Sequence, residues 1–386
     1  MGPESVNLRD GAQTGQTAPP PDPSDGLALS RPEPNEFNWV FFGPRGLRAG
    51  CSIFLFAMVL YFTLDFFHWV LWFLVVEVAH LRVYYGTALN TLLLEGQRVA
   101  ALLTTWMIVA ALERRRLADY NLGGSRRLRL LLGGVAAGFG AVSVLILVLR
   151  EGGWLHFGPG GLSGPQVVKY ALLWGLAFLL VGIFEEGAFR CYLLATLERG
   201  LNFWWALALV GGTCLYLEIY PGAHGAWGVY AAALAGVVPC AWAAWRKTPR
   251  CGLWQAAWAS SVGFGMIHTF NPGENWMGVL AAAFIGFIFC VSVGVTGSAW
   301  WAIGCHAAWD WSESYFYGTA DSGFAARGHL LTTTPAGSAL WSGGSDGPEG
   351  SVLVFPVILL LMFAVIAIYG RRKPALFSQK NEDALV

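Results

Sequence analysis

Charge is scarce in this sequence. Of 386 residues only 12% are Asp, Glu, Lys or Arg, 55% are hydrophobic, and the formal net charge is zero. A soluble domain carries about 25% charged residues, so the polar surface that would keep this chain in water is missing. A zero net charge also gives no reason to expect a nucleic-acid partner. No Cys-x-x-Cys pair occurs. The seven cysteines (Cys51, Cys191, Cys214, Cys240, Cys251, Cys290, Cys305) lie mostly in apolar stretches and read as small core residues rather than disulfides or zinc ligands. His-Glu-x-x-His is absent too, which removes the usual zinc-protease reading.

What is present is apolar length. Mean hydropathy is +0.52, and runs of about 18 or more apolar residues, long enough to cross a bilayer, recur along the chain. The pattern predicts an all-α, polytopic transmembrane bundle of about ten spans. These are Cys51 to Val76, Thr91 to Leu112, Leu128 to Leu149, Val168 to Leu194, Phe203 to Ile219, Gly228 to Trp245, Leu253 to Phe270, Trp276 to Val293, Ser298 to Tyr315 and Val352 to Tyr369. The seventh ends at Asn271-Pro272, where proline stops a helix. The Gly- and Ser-rich stretch from Gly318 to Gly350 reads as a loop.

The flanks differ in kind. Residues 1–37 are rich in Pro, Gly, Ser and Asp, cannot bury enough apolar surface to fold, and read as a disordered tail. They lack the basic start and apolar core of a signal peptide. The membrane domain then covers 38–370, and 371–386 form a C-terminal tail. Lys and Arg accumulate on the cytoplasmic side of membrane proteins. Alternating the spans from a cytoplasmic N-terminus puts Arg45/Arg48, the cluster from Arg114 to Arg129, Arg246/Lys247/Arg250 and Arg371/Arg372/Lys373 all inside, with both termini cytoplasmic.

Against this background, ionisable residues within spans stand out, because each costs about 2.5–3.5 kcal/mol to insert at mid-bilayer. The fourth span carries Glu185-Glu186-Gly187-Ala188-Phe189-Arg190. Glu186 and Arg190, four residues apart, share a helix face and can pair. Glu185 points about 100° away and has no local partner, which leaves it free to act as a base if burial raises its proton affinity. The seventh span ends in Phe264-Gly265-Met266-Ile267-His268, and the ninth carries His306-Ala307-Ala308-Trp309-Asp310. Taken singly, each has a plainer explanation: a helix end at the interface, a packed histidine, a His–Asp pair between helices, or a proton relay.

Taken in order on separate spans, Glu-Glu-x-x-x-Arg, Phe-x-x-x-His and His-x-x-x-Asp resemble the signature of the CPBP family, the CAAX-protease and bacteriocin-processing membrane proteins. The turn His268-Thr269-Phe270-Asn271-Pro272-Gly273-Glu274-Asn275 and the loop Ser342 to Gly350 are similar to stretches of bacterial members. The likeness spans about 168–350. It implies an intramembrane, metal-free glutamate peptidase with Glu185, His268, His306 and Asp310 as catalytic residues and Glu186, Arg190 and Phe264 as supports. Glu185, helped by His268, would deprotonate a water, while His306 and Asp310 face the oxyanion. An ionised Asp310 would repel that oxyanion, so it must be protonated or else orient His306. The stretch from Arg190 to Phe264 is longer than the family pattern. It reads as an extra hairpin over about 201–250 that turns an eight-helix core into ten.

The implied partners are the lipid bilayer and a membrane protein or peptide, cut near or at its C-terminus. The Ala-, Gly-, Trp- and Arg-rich composition points to a bacterial cytoplasmic membrane. Four other readings compete. The two histidines with Glu185 and Asp310 have the N/O chemistry of a zinc site, so a metal is not excluded by the residues themselves. Gly161-Leu162-Ser163-Gly164 has the local look of a serine-protease motif but lies in a loop before the span. A non-catalytic scaffold or immunity protein would keep the fold without cleavage, and a transporter would show inverted repeats, of which the sequence gives no convincing sign.

Overall fold

The computed structural model describes residues 41–43, 46–200, 238, 241–242, 244–247 and 251–370. The expected tails and most of the expected hairpin, including Glu218 and His224, lie outside the described residues. The chain is mostly helical. α1 (Ala49–Trp72) runs on through a π-helical turn to Val78. It is followed by α2 (Ala88–Glu113), α3 (Arg127–Glu151) and α4 (Pro165–Glu186). A π-helical turn, Gly187–Leu193, carries α4 into α5 (Leu194–Gly200). Then come α6 (Cys251–His268), α7 (Trp276–Thr296), α8 (Trp300–Trp311) and α9 (Val354–Tyr369).

Among the described residues, five helical stretches are long and apolar enough to cross a membrane: Ala49–Val78, Ala88–Glu113, Arg127–Glu151, Pro165–Gly200 and Trp276–Thr296. α1 buries only Ser52 and Phe56. Its Phe54, Phe62, Phe66 and Trp69 are exposed, as expected of an outer helix whose solvent is lipid tails. α9 is apolar but shorter.

The expected fourth span proves to be part of one continuous 36-residue helical stretch, longer than the roughly 20 residues that a bilayer requires. Glu185 therefore sits well inside the bundle rather than at a helix end. The Gly318–Gly350 stretch is more ordered than its composition suggests. Strand β1 (Leu155–Phe157) pairs antiparallel with β4 (Thr333–Pro335), and β2 (Ala320–Asp321) with β3 (Phe324–Ala325) in a small hairpin. These ladders depart from a purely helical fold.

α8 is the central element. Nine of its twelve residues are buried, and it packs against α3 on one side and α4 on the other. Glycine permits the approach. A Cβ at Gly134 or Gly138 would run into the backbone carbonyls of Trp301 and Cys305, and one at Gly304 into that of Leu131. Small residues that let helix backbones meet are the usual means of association in lipid, where apolar burial gains nothing. This contact fixes the depth and rotation of the helix that carries His306 and Asp310.

Candidate active site

Glu186 and Arg190 share one face of the same helical stretch and are both completely buried. Arg190 Nε lies 3.2 Å from Glu186 Oε2, and its Nη1 donates to Oε1 at 3.2 Å. The guanidinium lies over the Phe264 ring, 4.1 Å from its centroid, with Phe289 and Phe189 at 5.4 and 5.6 Å. Desolvated cation–π contacts of this kind contribute about 2 kcal/mol. Asn121 Nδ2 donates to the Arg190 carbonyl at 2.8 Å, a bond left open by the π-helical turn. Such turns interrupt the i to i−4 ladder and recur at functional sites.

His306 connects this pair to the cavity. Its Nδ1 bonds Glu186 Oε1 at 2.8 Å, and its Nε2 lies 3.5 Å from Asp310 Oδ2 and 3.8 Å from Glu185 Oε2. A carboxylate only accepts, so Nδ1 carries the proton in the Glu186 bond. Glu186 thus accepts from two partners, Arg190 and His306. Glu185, one residue earlier, is half-buried, and its Oε2 is enclosed without a hydrogen-bond partner.

His268 is the last residue of α6. Its Nδ1 is 2.8 Å from the Phe264 carbonyl; since a carbonyl cannot donate, Nδ1 donates this bond. Phe264 thereby supports both halves of the site: its carbonyl orients His268 and its ring carries Arg190. Glu185, His268, His306 and Asp310 all line one cavity of about 300 Å³. The four residues singled out from the sequence converge there, although Glu185 and His268 make no direct hydrogen bond.

The turn after His268 and the loop Ser342–Gly350 meet in space. Asn275 caps α7, its Oδ1 accepting from the Met277 and Gly278 amides at 2.7 and 3.2 Å. Its Nδ2 donates to the carbonyls of Gly343 and Gly350 at 3.3 and 3.5 Å, and its amide donates to Asp346 Oδ2 at 3.2 Å. The turn and the loop are thus tied into one structural unit at the start of α7, and Asn271, Pro272 and Glu349 from it line the cavity.

Sequence reasoning passed over several lining residues. Glu95 and Arg98 form an i, i+3 pair at 2.6 Å on the cavity wall, with Glu95 Oε2 buried and unpartnered. Two charges in one apolar helix were a readable signal, blunted by their placement near a span end. Asp321 and Glu349 also line the cavity. Nothing local in the sequence marks them, since they arrive from the hairpin and from a turn before α9.

Fold and site together define an integral membrane protein of several apolar helices, with acids, histidines and one buried arginine gathered around an internal cavity. Residues 241–312 match the family described as type II CAAX prenyl endopeptidase Rce1-like. The matched segment holds Phe264, His268, His306 and Asp310, and it supports recognition of the chain as a CPBP, CAAX-protease relative. That family is one of membrane peptidases acting on protein or peptide substrates. Neither a curated protein nor a solved structure matches the chain.

Proposed function

We propose that this protein is an intramembrane endopeptidase in which Glu185 activates the attacking water. The observation that carries the reading is the enclosed Glu185 Oε2, which accepts no hydrogen bond among the described residues and stands 3.8 Å from His306 Nε2, on a cavity shared with two histidines. An isolated buried carboxylate oxygen costs stability that a purely structural acid would avoid by pairing. Its neighbour Glu186 does pair, with Arg190 and His306.

In this reading a water sits between Glu185 and Nε2 of His268. Glu185 takes its proton as the oxygen attacks the scissile carbonyl carbon. The carbonyl electrons move to oxygen, where His306 Nε2–H donates to the developing charge. On collapse the C–N bond breaks and the proton held by Glu185 passes to the leaving amine. Asp310, 3.5 Å from His306 Nε2, is better placed to orient His306 than to donate to an oxyanion. No step requires a metal, although the same four side chains keep the N/O chemistry of one.

A substrate cut near its C-terminus would bring a carboxylate with it. Arg98 is the only Lys or Arg among the described residues lining the cavity, which suits that role. We further take the ten-span topology with both termini cytoplasmic in a bacterial membrane, 168–350 as the catalytic core, and 201–250 as the inserted hairpin. The cavity is lined by Tyr85, Asn271 and Phe324, at the end of the bundle away from Arg114. With the basic cluster inside, substrates reach it from the outer face or from the bilayer.

The test is cleavage of a quenched-peptide library by detergent-purified protein. Glu185→Ala should lower turnover by about 10²–10⁴-fold while eluting as one folded species. Well-folded wild type that cuts no peptide, lipidated CaaX peptides included, would remove the proposal. Arg98→Ala should raise KM for peptides with a free C-terminus and leave C-terminally amidated ones unaffected; equal effects on both would refute the carboxylate role.

A further inference from the structure

At the edge of the cavity, two of whose lining acids take part, three acids that have no role in the proposed reaction converge from separate parts of the chain. Glu313 lies on the π-helical turn Ser312–Tyr317 that continues α8, Asp321 on the β2–β3 hairpin, and Glu349 on the 3₁₀ turn Pro348–Gly350 before α9. One carboxylate oxygen from each lies within 4.8 Å of the other two. We propose that Glu313, Asp321 and Glu349 form a binding site for a divalent cation of calcium's class.

Glu313 makes this more than an acidic cluster. Its side chain is completely buried, and neither of its oxygens meets a hydrogen-bond donor. A carboxylate so placed is costly unless something positive answers it. The other two acids are held in position by hydrogen-bond donors. Trp309 Nε1 donates to Glu349 Oε1 and Ser322 Oγ to Glu349 Oε2, both at 2.9 Å, and Ser314 Oγ donates to Asp321 Oδ2 at 3.0 Å. Outer partners that aim the ligating oxygens are a regular part of metal sites. A single proton on Glu313 would leave its second oxygen orphaned and two negative charges still facing each other, whereas one divalent ion answers all three.

The donor set selects the ion. Oxygen-only ligands without His or Cys suit hard cations rather than zinc or copper. Calcium–oxygen bonds of about 2.4 Å allow two ligand atoms on opposite sides to stand about 4.8 Å apart. Magnesium's stricter octahedron and reluctance to shed water make it the less suited ion for a site built of three protein carboxylates. Bound there, the ion ties the end of α8, the hairpin and the turn before α9 together. That clasp lies three residues along the chain from Asp310, so it would hold the His306 helix in place.

The experiment uses the full chain in detergent after treatment with a chelating resin. Calcium chloride should raise the melting temperature saturably by a few degrees, and magnesium chloride less. Manganese chloride, followed by its electron paramagnetic resonance, should bind at one site per chain and be displaced by calcium. Glu313→Gln should weaken manganese binding by more than about tenfold. If that variant does not fold, Asp321→Asn at the hairpin should show the same loss. The proposal is overturned by an absence of saturable binding, or by unchanged affinity in the variants that fold. A wild type indifferent to cations with Glu313→Gln at least as stable would also overturn it, showing that the three carboxyls share protons instead.

Discussion

Two groups of buried acids, both adjoining α8, meet opposite fates. Glu186 has an arginine and a histidine within 3.2 Å, and the arginine is enclosed by three phenylalanine rings. Glu313 is equally buried, faces the carboxylates of Asp321 and Glu349, and has no hydrogen-bond donor on either oxygen among the described residues. The first group is complete within the polypeptide, with all its charges supplied by two motifs. The second needs a proton or a cation from outside. The difference teaches how to read acids in an apolar chain: burial does not mark an acid as functional, but burial without a protein partner does. By that criterion Glu313 and, with only a 3.8 Å approach to His306, Glu185 are the positions for which we propose reactive roles, and Glu186 the one for which we propose a structural role.

The largest effect should come from removing one side of the completed group. Arg190→Met leaves Glu186 as a buried charge answered only by His306, and breaking a buried pair in this way costs about 3–5 kcal/mol. Thermal or denaturant unfolding in detergent should register that loss. Glu185→Gln, which removes no partner, should leave stability nearly unchanged while abolishing activity. Equal destabilisation by the two would break the division between scaffold and reactive acid.

A smaller effect is expected from crowding the same group without removing charge. Gly286 on α7 faces the guanidinium, and a Cβ there would stand 2.5 Å from Arg190 Nη2 and 3.2 Å from Phe264. Gly286→Ala should therefore cost about 1–3 kcal/mol by overpacking. It should also disturb His268 through Phe264, so turnover should fall together with stability. A fully stable, fully active Gly286→Ala would mean that Arg190 is not held as tightly as its surroundings suggest.

The sequence disclosed the paired group far better than the unpaired one. Glu186 and Arg190 are four residues apart, and the pairing follows from helix geometry alone. Phe264 with His268 and His306 with Asp310 are likewise local, and order along the chain was enough to suggest a family. The bridge from His306 to Glu186 was not legible, because it depends on how α8 rotates against α4, and that rotation is set by glycine contacts between α8 and α3. Glu313, Asp321 and Glu349 were invisible as a group, since two of them sit in a stretch whose glycines and serines read as featureless loop. Span boundaries were close for α2, α3 and α7. The fourth was underestimated because nothing in its sequence stops the helix before Gly200.

The smallest effect concerns pH, and it extends the comparison to acids outside the membrane spans. Burial, with the negative charges of Asp346 and Glu349 added, pushes Glu274 up to about 9. Burial beside Glu349 raises Asp346 to about 7. Both carboxylates converge over Gly278, where a Cβ would collide with each, and the donors facing Glu274, Asn271 Nδ2 at 3.2 Å and the Ser322 side chain, are neutral. In the unfolded chain Glu274 loses its proton near 4.5, while in the folded protein it keeps it until about 9. Between those values the folded state binds more protons than the unfolded one, so stability falls as pH rises, by at most about 1.4 kcal/mol per pH unit for this group. With excess chelator present to remove any contribution from a bound cation, the melting temperature should decline across that window. Glu274→Gln cannot ionise and keeps a neutral side chain of the same shape, so it should flatten the decline and gain most over wild type near its alkaline end. An unchanged slope in Glu274→Gln would mean that this acid is already answered, as Glu186 is, and would move it from the unpaired group to the paired one.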